Sequence, residues 1–256
     1  MTNARLARTV HRRAGAPVLV MGISLGTSRR MWAPQIDALR ERFSVIVYAH
    51  RGHDGSEVPP GPYSLDQLGG DVIAMLADLG VGRASHCGLS LGGMVAMWLA
   101  ANSPEQVDRL ALCCTTAYFG PDAAYGERAQ RVRIAGTGPE VDATLGRWFT
   151  PEFSSRCPDI VAAADSWLRD TSREGYSGCC EALDRMDLRD ALPQIAAPTL
   201  VLAGAGDAAT PPAHAEAIAA AIPAATLVIV PDAAHLANLE QPDTVTRALI
   251  GHLTHG

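Results

Sequence analysis

Six short apolar runs divide the chain, and each has the length and composition of a buried β-strand. They cover residues 17–21, 43–48, 84–88, 110–114, 199–203 and 226–230. Between them, apolar residues recur at helical spacing, which predicts helices over residues 32–42, 65–79, 90–101, 211–222 and 244–253. Strands that alternate with helices predict a mostly parallel sheet flanked by helices, and therefore the α/β fold class.

The alternation is interrupted once, over residues 118–192. This segment is rich in arginine and tryptophan, has helical spacing and contains no convincing strand. We interpret it as a helical lid inserted into a single domain, whose core comprises residues 1–117 and 193–256.

Charge and composition exclude several classes of partner. The chain has 256 residues, a net charge of −6 and 21 basic residues, all arginine, which are scattered along the sequence. A nucleic-acid interface needs a concentrated basic face, so none is expected. No apolar run is long enough to cross a membrane, and the arginine-rich start does not fit a secretory signal. The sequence predicts a cytoplasmic protein and leaves a homo-oligomer open.

Cysteine usage agrees with that compartment. The six cysteines include the adjacent pairs Cys113–Cys114 and Cys179–Cys180, and no metal-binding spacing accompanies them. We therefore expect buried, reduced thiols and no metal site.

The motif Gly88-Leu89-Ser90-Leu91-Gly92 lies between a predicted strand and a predicted helix. It fits the G-x-S-x-G turn that presents a nucleophilic serine, where small flanking residues prevent clashes. A five-residue match can arise by chance, and the alternative is an ordinary loop serine. The strand-to-helix context favours a nucleophile at Ser90.

A serine nucleophile needs a base and a residue that orients the base. Asp207 follows the strand at residues 199–203, and His235 follows the last predicted strand, in the chain order expected after such a serine. The alternatives are a turn or N-cap role for Asp207 and a helix-start role for His235. Asp232 fits a turn better than a catalytic role. His86, His214 and His252 are expected to be structural or solvated.

Acyl transfer also needs two N–H groups that face the carbonyl oxygen, an oxyanion hole. The residue after the nucleophile, Leu91, is one candidate. The other is Leu25, in the loop that follows the first apolar run; an ordinary glycine-bounded turn is the alternative for this loop.

Further segments carry a resemblance over nearly the whole chain. They are residues 24–27, 31–32, 51–53, 61–64, 98–100, 147–151 and 178–182. Through them the chain resembles the α/β-hydrolases, and among these the 3-oxoadipate enol-lactonases. The resemblance implies Ser90, Asp207 and His235 as catalytic triad and Leu25 and Leu91 as oxyanion hole. It also implies a small anionic enol-lactone as substrate, an acyl-enzyme intermediate and no cofactor.

Some positions depart from that family. Ala49 replaces an aspartate, Asp54 a glycine, Tyr125 a tryptophan and Thr137 a methionine. For substrate binding we name Trp148, Tyr125 and the lid arginines, with Arg128 and Arg133 first and Arg131 and Arg147 beside them, because arginine binds carboxylates through two N–H groups. The alternatives are a place in the core for Trp148 and solvated positions for most of the arginines.

Three alternatives remain at this point. The departures fit a carboxylesterase or a hydrolase of other lactones or carbon–carbon bonds, for example in secondary metabolism. A non-catalytic binding protein of the same fold is the alternative from another class. Enzymes that use an aspartate nucleophile at this turn are disfavoured by Ser90.

Overall fold

A computed structural model describes residues 3–120, 122–223 and 225–254. Its centre is a seven-stranded sheet with the strand order β1-β3-β2-β4-β5-β6-β7. The strands are β1 (Arg8–His11), β2 (Val18–Gly22), β3 (Ser44–Tyr48), β4 (Ala84–Leu89), β5 (Val107–Cys113), β6 (Thr199–Gly204) and β7 (Ala225–Val230). Strand β1 is antiparallel to β3, and all other neighbours are parallel. The α/β class predicted from the alternation is confirmed.

Each of the six apolar runs forms a strand, but β1 was not predicted. Its sequence is Arg-Thr-Val-His, with a single apolar residue, and none of the four residues is fully buried. Strand β1 lies at the edge of the sheet, and among the described strands it pairs only with β3. Because an edge strand is held by its backbone pairing rather than by burial, its sequence lacks an apolar signature.

Helices connect the strands in the predicted order. Outside the predicted lid segment they are α1 (Ala33–Arg40), α2 (Leu65–Asp78), α3 (Leu91–Asn102), α9 (Pro212–Ala221), α10 (Ala237–Glu240) and α11 (Pro242–Thr254). Helix α2 begins with a capping box, in which Ser64 accepts from the Gln67 N–H and the Gln67 side chain accepts from the Ser64 N–H. Helix α3 is apolar on nearly all sides and packs against β2, β4 and β5. A helix of that composition belongs in the core.

Five α-helices lie between β5 and β6 in the part of this segment that the structure describes. They are α4 (Tyr125–Ala135), α5 (Val141–Trp148), α6 (Pro151–Arg156), α7 (Pro158–Asp170) and α8 (Arg173–Asp184). Helix α4 packs along α8, and α5 packs against α7. The outer bounds of the predicted core, residues 1 and 256, lie outside the described residues. No helix within the described ranges is both long and apolar enough for a bilayer span.

Parallel pairing places the carboxyl ends of β2, β4, β5, β6 and β7 at one edge of the sheet. The segments that follow these strands contain Ser90, Thr115, Asp207, His235 and the loop predicted to supply an oxyanion amide, residues 23–27, which we call the oxyanion loop. Open α/β sheets bind ligands at this edge.

Candidate active site

Ser90 stands on a strained turn between β4 and α3. Its backbone has φ 55° and ψ −117°, a conformation that L-residues rarely adopt. The turn is held from both sides, because the Ser90 N–H donates to the Cys113 carbonyl over 2.9 Å. The Thr115 hydroxyl donates to the Ser90 carbonyl over 2.8 Å. Such a turn displays the serine hydroxyl above the sheet edge.

Glycine is required beside Ser90 because two backbones meet there. A Cβ at Gly88 would lie 2.1 Å from the Gly92 carbonyl carbon, and a Cβ at Gly92 would lie 2.5 Å from the Gly22 carbonyl oxygen. Both neighbours are main-chain atoms, so neither can move aside as a side chain could. The close approach brings the start of α3 against the end of β2, next to the oxyanion loop.

Asp207 is saturated with hydrogen bonds. Its Oδ1 accepts from the N–H groups of Ala209 and Thr210 over 2.8 and 2.9 Å. Its Oδ2 accepts from the Thr210 hydroxyl and from Nδ1 of His235, each over 2.8 Å. Burial would raise the pKa of Asp207, but the His235 charge, its hydrogen bond and the Thr210 donors lower that pKa below its ordinary value. The carboxyl is therefore held as the carboxylate.

His235 connects Asp207 to the same cavity that Ser90 lines. Because the Asp207 carboxylate can only accept, the hydrogen sits on Nδ1 of the imidazole. Neutral His235 then has an unprotonated Nε2, which is the form that can take a proton from a serine hydroxyl.

The oxyanion loop leaves one amide without an acceptor. The Ser24 N–H points to Sδ of Met31 over 3.4 Å, the Gly26 N–H donates to His53 over 2.9 Å, and the Thr27 N–H donates to the Ser24 carbonyl over 3.2 Å. Within the described part of the chain, the Leu25 N–H has no acceptor, nor has the Leu91 N–H at the start of α3. These are the two amides that the sequence predicts for an oxyanion hole.

A cavity of about 390 Å³ opens between the sheet edge and the helices α4, α5 and α8. The sheet side supplies Ser24, Leu25, Ser90, Thr210 and His235. The helical side supplies Tyr125, Arg128, Glu140, Thr144, Arg147, Trp148 and Tyr176, among others. Its size suits a small ligand.

Comparison with known proteins agrees with this geometry. The profile of the alpha/beta hydrolase fold family matches residues 17–242. A 3-oxoadipate enol-lactonase 2 of Acinetobacter baylyi is 41% identical over 236 residues, which span 92% of this chain and 88% of the relative. The chain belongs to the α/β-hydrolase family, in its 3-oxoadipate enol-lactonase branch.

Two solved structures of hydrolases are similar to this hydrolase over nearly the whole chain. The enol-lactonase from Burkholderia xenovorans superimposes with a TM-score of 0.96 at 39% identity, covering 98% of this chain and 97% of that one. A thermophilic esterase from Thermogutta terrifontis, solved with malate bound, superimposes with a TM-score of 0.91 at 32% identity, covering 97% and 92%.

The cavity of this hydrolase carries an excess of positive charge. Arg128 pairs with Glu140 at 3.2 Å, and both side chains are 13% exposed. Arg147 lines the same wall and donates to the Thr144 hydroxyl over 3.3 Å. Among the described residues, no carboxylate pairs with Arg147. Burial, and after it the neighbouring Arg128 charge, lower the pKa of Arg147.

Aromatic side chains form the rest of the helical wall in this enzyme. Tyr176 stacks under the Arg128 guanidinium, 5.3 Å from the ring centroid, and Tyr125 packs on Phe119 with ring centroids 4.6 Å apart. Burial raises the pKa of Tyr125 to about 12, so its hydroxyl stays protonated. Trp148 lines the cavity, and its carbonyl accepts from the Leu236 N–H beside His235 over 3.0 Å.

The structure corrects the prediction that Arg133 binds the substrate. Arg133 does not line the cavity, and its guanidinium donates to Glu174 over 3.0 Å and to Glu181 over 2.8 Å. Both glutamates lie on α8, against which α4 packs. Arg133 therefore joins two helices and does not face the site of a ligand. Arg128, five residues earlier on the same helix, faces the cavity instead.

The sequence prediction did not include some other residues that line the cavity. His214, expected to be structural or solvated, lines the cavity at the start of α9, and its Nδ1 lies 2.5 Å from the Thr116 hydroxyl. Ser24 also lines it, and the Ser24 hydroxyl is buried without a hydrogen-bond partner in the described structure. For Ser24 a signal was present, since it adjoins Leu25. For His214 the sequence offered none.

All six cysteines are free in the structure; five of them are buried, as predicted, and Cys157 is partly exposed. Across residues 3–120, 122–223 and 225–254, no group of three or more His, Cys, Asp or Glu side chains is arranged to hold a metal ion.

Proposed function

We propose that this hydrolase opens a small anionic enol-lactone, of the 3-oxoadipate enol-lactone kind, through Ser90, His235 and Asp207. The Arg147 guanidinium lines the same cavity as Ser90, is half-buried and has no carboxylate partner among the described residues, and this observation supports the anionic substrate class. A partly buried cation without a counter-ion favours a ligand that supplies one. Arginine also matches the two oxygens of a carboxylate. The two enol-lactonase relatives support the lactone.

The first half of the mechanism forms an acyl-enzyme. His235 Nε2 takes the hydroxyl proton of Ser90 while Ser90 Oγ attacks the lactone carbonyl. The N–H groups of Leu25 and Leu91 hold the oxygen that becomes negative. The ring C–O bond then breaks, and the ring oxygen leaves as an enolate. That enolate takes up the proton held by His235 and becomes a ketone. Asp207 stabilises the imidazolium between these steps.

The second half releases the acid. His235 takes a proton from a water molecule, and the resulting hydroxide attacks the ester carbonyl at Ser90. The Ser90 oxygen leaves and regains its proton from His235. No step draws on a cofactor. The Ser24 hydroxyl, buried and without a partner beside Leu25, is placed to donate to the substrate in both halves.

The helices between residues 118 and 192 act in this proposal as a lid. They supply the cationic and aromatic wall, and the sheet edge supplies the reacting groups. The Trp148 carbonyl contact to the His235 loop links the two parts. We place the enzyme in the cytoplasm, where its six free thiols remain reduced. Its partner is the small-molecule substrate.

A carboxylesterase that acts on anionic monoesters is the second candidate. The observation that favours it is the similarity to the Thermogutta esterase, which was solved with the dicarboxylate malate bound. The two candidates share every catalytic group and differ in the leaving group, an enolate or an alkoxide.

The test compares kcat/KM for 3-oxoadipate enol-lactone with kcat/KM for open-chain monoesters of dicarboxylic acids. A lactone preference of about 100-fold or more, lost in Ser90→Ala, supports the enol-lactonase. Equal or better turnover of the monoesters assigns the esterase. Labelling of Ser90 by a fluorophosphonate excludes the non-catalytic alternative, because a binding scaffold has no activated serine.

A further inference from the structure

We propose that His53 is a positioning residue of the reaction: in its neutral form, protonated at Nδ1, it holds the Gly26 amide and thereby fixes the Leu25 amide toward the reacting carbonyl. The role of the Leu25 amide rests on the proposed function. The contact itself does not, since the Gly26 N–H lies 2.9 Å from Nε2 of His53.

The two contacts of His53 define one protonation state. Nδ1 lies 2.8 Å from the Arg51 carbonyl, which can only accept, so Nδ1 carries the hydrogen. Nε2 faces the Gly26 N–H, which can only donate, so Nε2 is unprotonated. Any other state of the ring loses one of these bonds. Burial lowers the pKa of His53 to about 4, against smaller opposite effects of the Arg51 carbonyl and Asp54, so the neutral ring persists at neutral pH.

His50 holds the other end of the oxyanion loop. Its Nε2 donates to the Ile23 carbonyl over 3.0 Å, and the same carbonyl accepts the Gly92 N–H over 3.0 Å. The Leu25 amide thus lies between Ile23 and Gly26, which are both hydrogen-bonded to the loop of residues 50–53, here called the histidine loop. Gly26 has a φ of 76°, so the loop turns sharply directly after Leu25.

The histidine loop (residues 50–53) is itself a rigid support. Arg51 forms a buried ion pair with Asp71 on α2, with Nη2 donating to Oδ1 over 2.8 Å. The Gly52 carbonyl accepts from the Ser172 N–H over 3.0 Å, just before α8. The charged and titratable groups around His53 are Arg51 with Asp71, Asp54 with Arg29, and His50, whose ring centroid is 6.4 Å away. A support fixed on α2 and α8 can hold the oxyanion loop still.

Two substitutions distinguish the loss of the Nε2 acceptor from the loss of the volume of the imidazole ring. In His53→Gln, the amide oxygen can reach the place of Nε2 and accept from Gly26. In His53→Asn, the shorter amide retains a group near Nδ1 but cannot reach Gly26. We expect His53→Asn to lower kcat about 10- to 100-fold with little change in KM, since misplacing an oxyanion donor acts on the transition state. His53→Gln should retain kcat within about threefold.

The assay uses p-nitrophenyl acetate as well as the enol-lactone, and a phenylboronate inhibitor reports the tetrahedral state. Boronate affinity should fall in His53→Asn in proportion to kcat. His86→Asn is the control, because His86 is also buried but hydrogen-bonds the Gln106 backbone, away from the loop. It should leave kcat and boronate affinity unchanged.

The outcomes are distinguishable. If wild type hydrolyses the ester but not the lactone, and His53→Asn loses ester turnover, the positioning role of His53 is supported and the enol-lactone substrate is excluded. Wild-type kcat and boronate affinity in His53→Asn, or equal losses in His53→Gln, overturn the positioning role. A nitrogen-15 NMR spectrum of wild-type histidines gives a second test that needs no variant: a ring protonated at Nε2 of His53 near neutral pH contradicts the proposal.

Discussion

Asp207 and His235 are 28 residues apart in the chain, yet the Asp207 carboxylate accepts from Nδ1 of His235 over 2.8 Å. Their loops follow β6 and β7, which are parallel neighbours in the sheet. The same parallel order places Ser90 at the end of β4. Sheet pairing therefore brings the three side chains to one edge, and the contact between the Asp207 carboxylate and the His235 imidazole is a consequence of the topology.

The first prediction concerns that contact. Asp207→Asn should lower kcat about 1,000- to 10,000-fold, because the amide can donate to Nδ1 and so favours the wrong tautomer of His235. Asp232→Asn is the matched control, an exposed aspartate in the turn before His235. Steady-state kinetics on both variants checks it. Comparable losses in the two would remove Asp207 from the catalytic role.

The second prediction concerns the close approach at the serine turn. Gly92→Ala places a Cβ 2.5 Å from the Gly22 carbonyl oxygen, so the free energy of unfolding should fall by about 1–3 kcal/mol and kcat should fall with it. Gly146→Ala, inside α5 with open space around its Cβ, should instead raise stability by about 0.5–1 kcal/mol. Urea unfolding measures both. A Gly92→Ala enzyme as stable and active as wild type would contradict the packing described above.

The third prediction concerns charge recognition. Arg147→Met should raise KM or lower kcat/KM about 10- to 100-fold for a carboxylate-bearing substrate. A loss of that size corresponds to the binding free energy of a pair of charge-assisted hydrogen bonds. Turnover of the neutral p-nitrophenyl acetate should change little. Arg133→Met serves as control, because Arg133 binds Glu174 and Glu181 outside the cavity. The idea fails if the neutral ester and the anionic substrate lose activity equally in Arg147→Met.

The fourth prediction concerns acid stability. Burial is the main cause that lowers the pKa of His50 to about 3 and those of His53 and His86 to about 4, from an ordinary value of 6.5. Below pH 6.5 the unfolded chain binds protons that the folded chain does not. Stability should therefore fall as the pH drops toward 4, by about 1.4 kcal/mol per pH unit for each histidine.

Urea unfolding at about pH 7.5 and about pH 5 measures this difference. The control is His86→Gln, which should remove roughly 1.4 kcal/mol per pH unit of the dependence. A wild-type free energy of unfolding that is the same at both pH values would show that these histidines titrate normally in the folded state.

Much of the fold and the arrangement of the site could be predicted, because their signals are local. Each apolar run forms a strand, and Ser90, Asp207 and His235 each follow one, so parallel pairing alone implies that they meet. Their catalytic roles, and those of Leu25 and Leu91, remain predictions that the geometry supports.

The rest depends on contacts between distant segments. Strand β1 exists through its pairing with β3 and has no apolar pattern of its own. The arginines of the helical segment look alike in sequence, and only the packing of α4 on α8 separates Arg133, which meets two glutamates, from Arg128, which faces the cavity. His214 reaches the cavity for the same reason, through the placement of α9.

The most direct measurement is the decay of the ultraviolet absorbance of 3-oxoadipate enol-lactone with wild-type enzyme and with Ser90→Ala. We predict rapid decay with wild type and a rate near background with Ser90→Ala. Decay no faster than background with a wild-type enzyme whose Ser90 still reacts with a fluorophosphonate would contradict the enol-lactonase assignment and leave a serine hydrolase of another substrate.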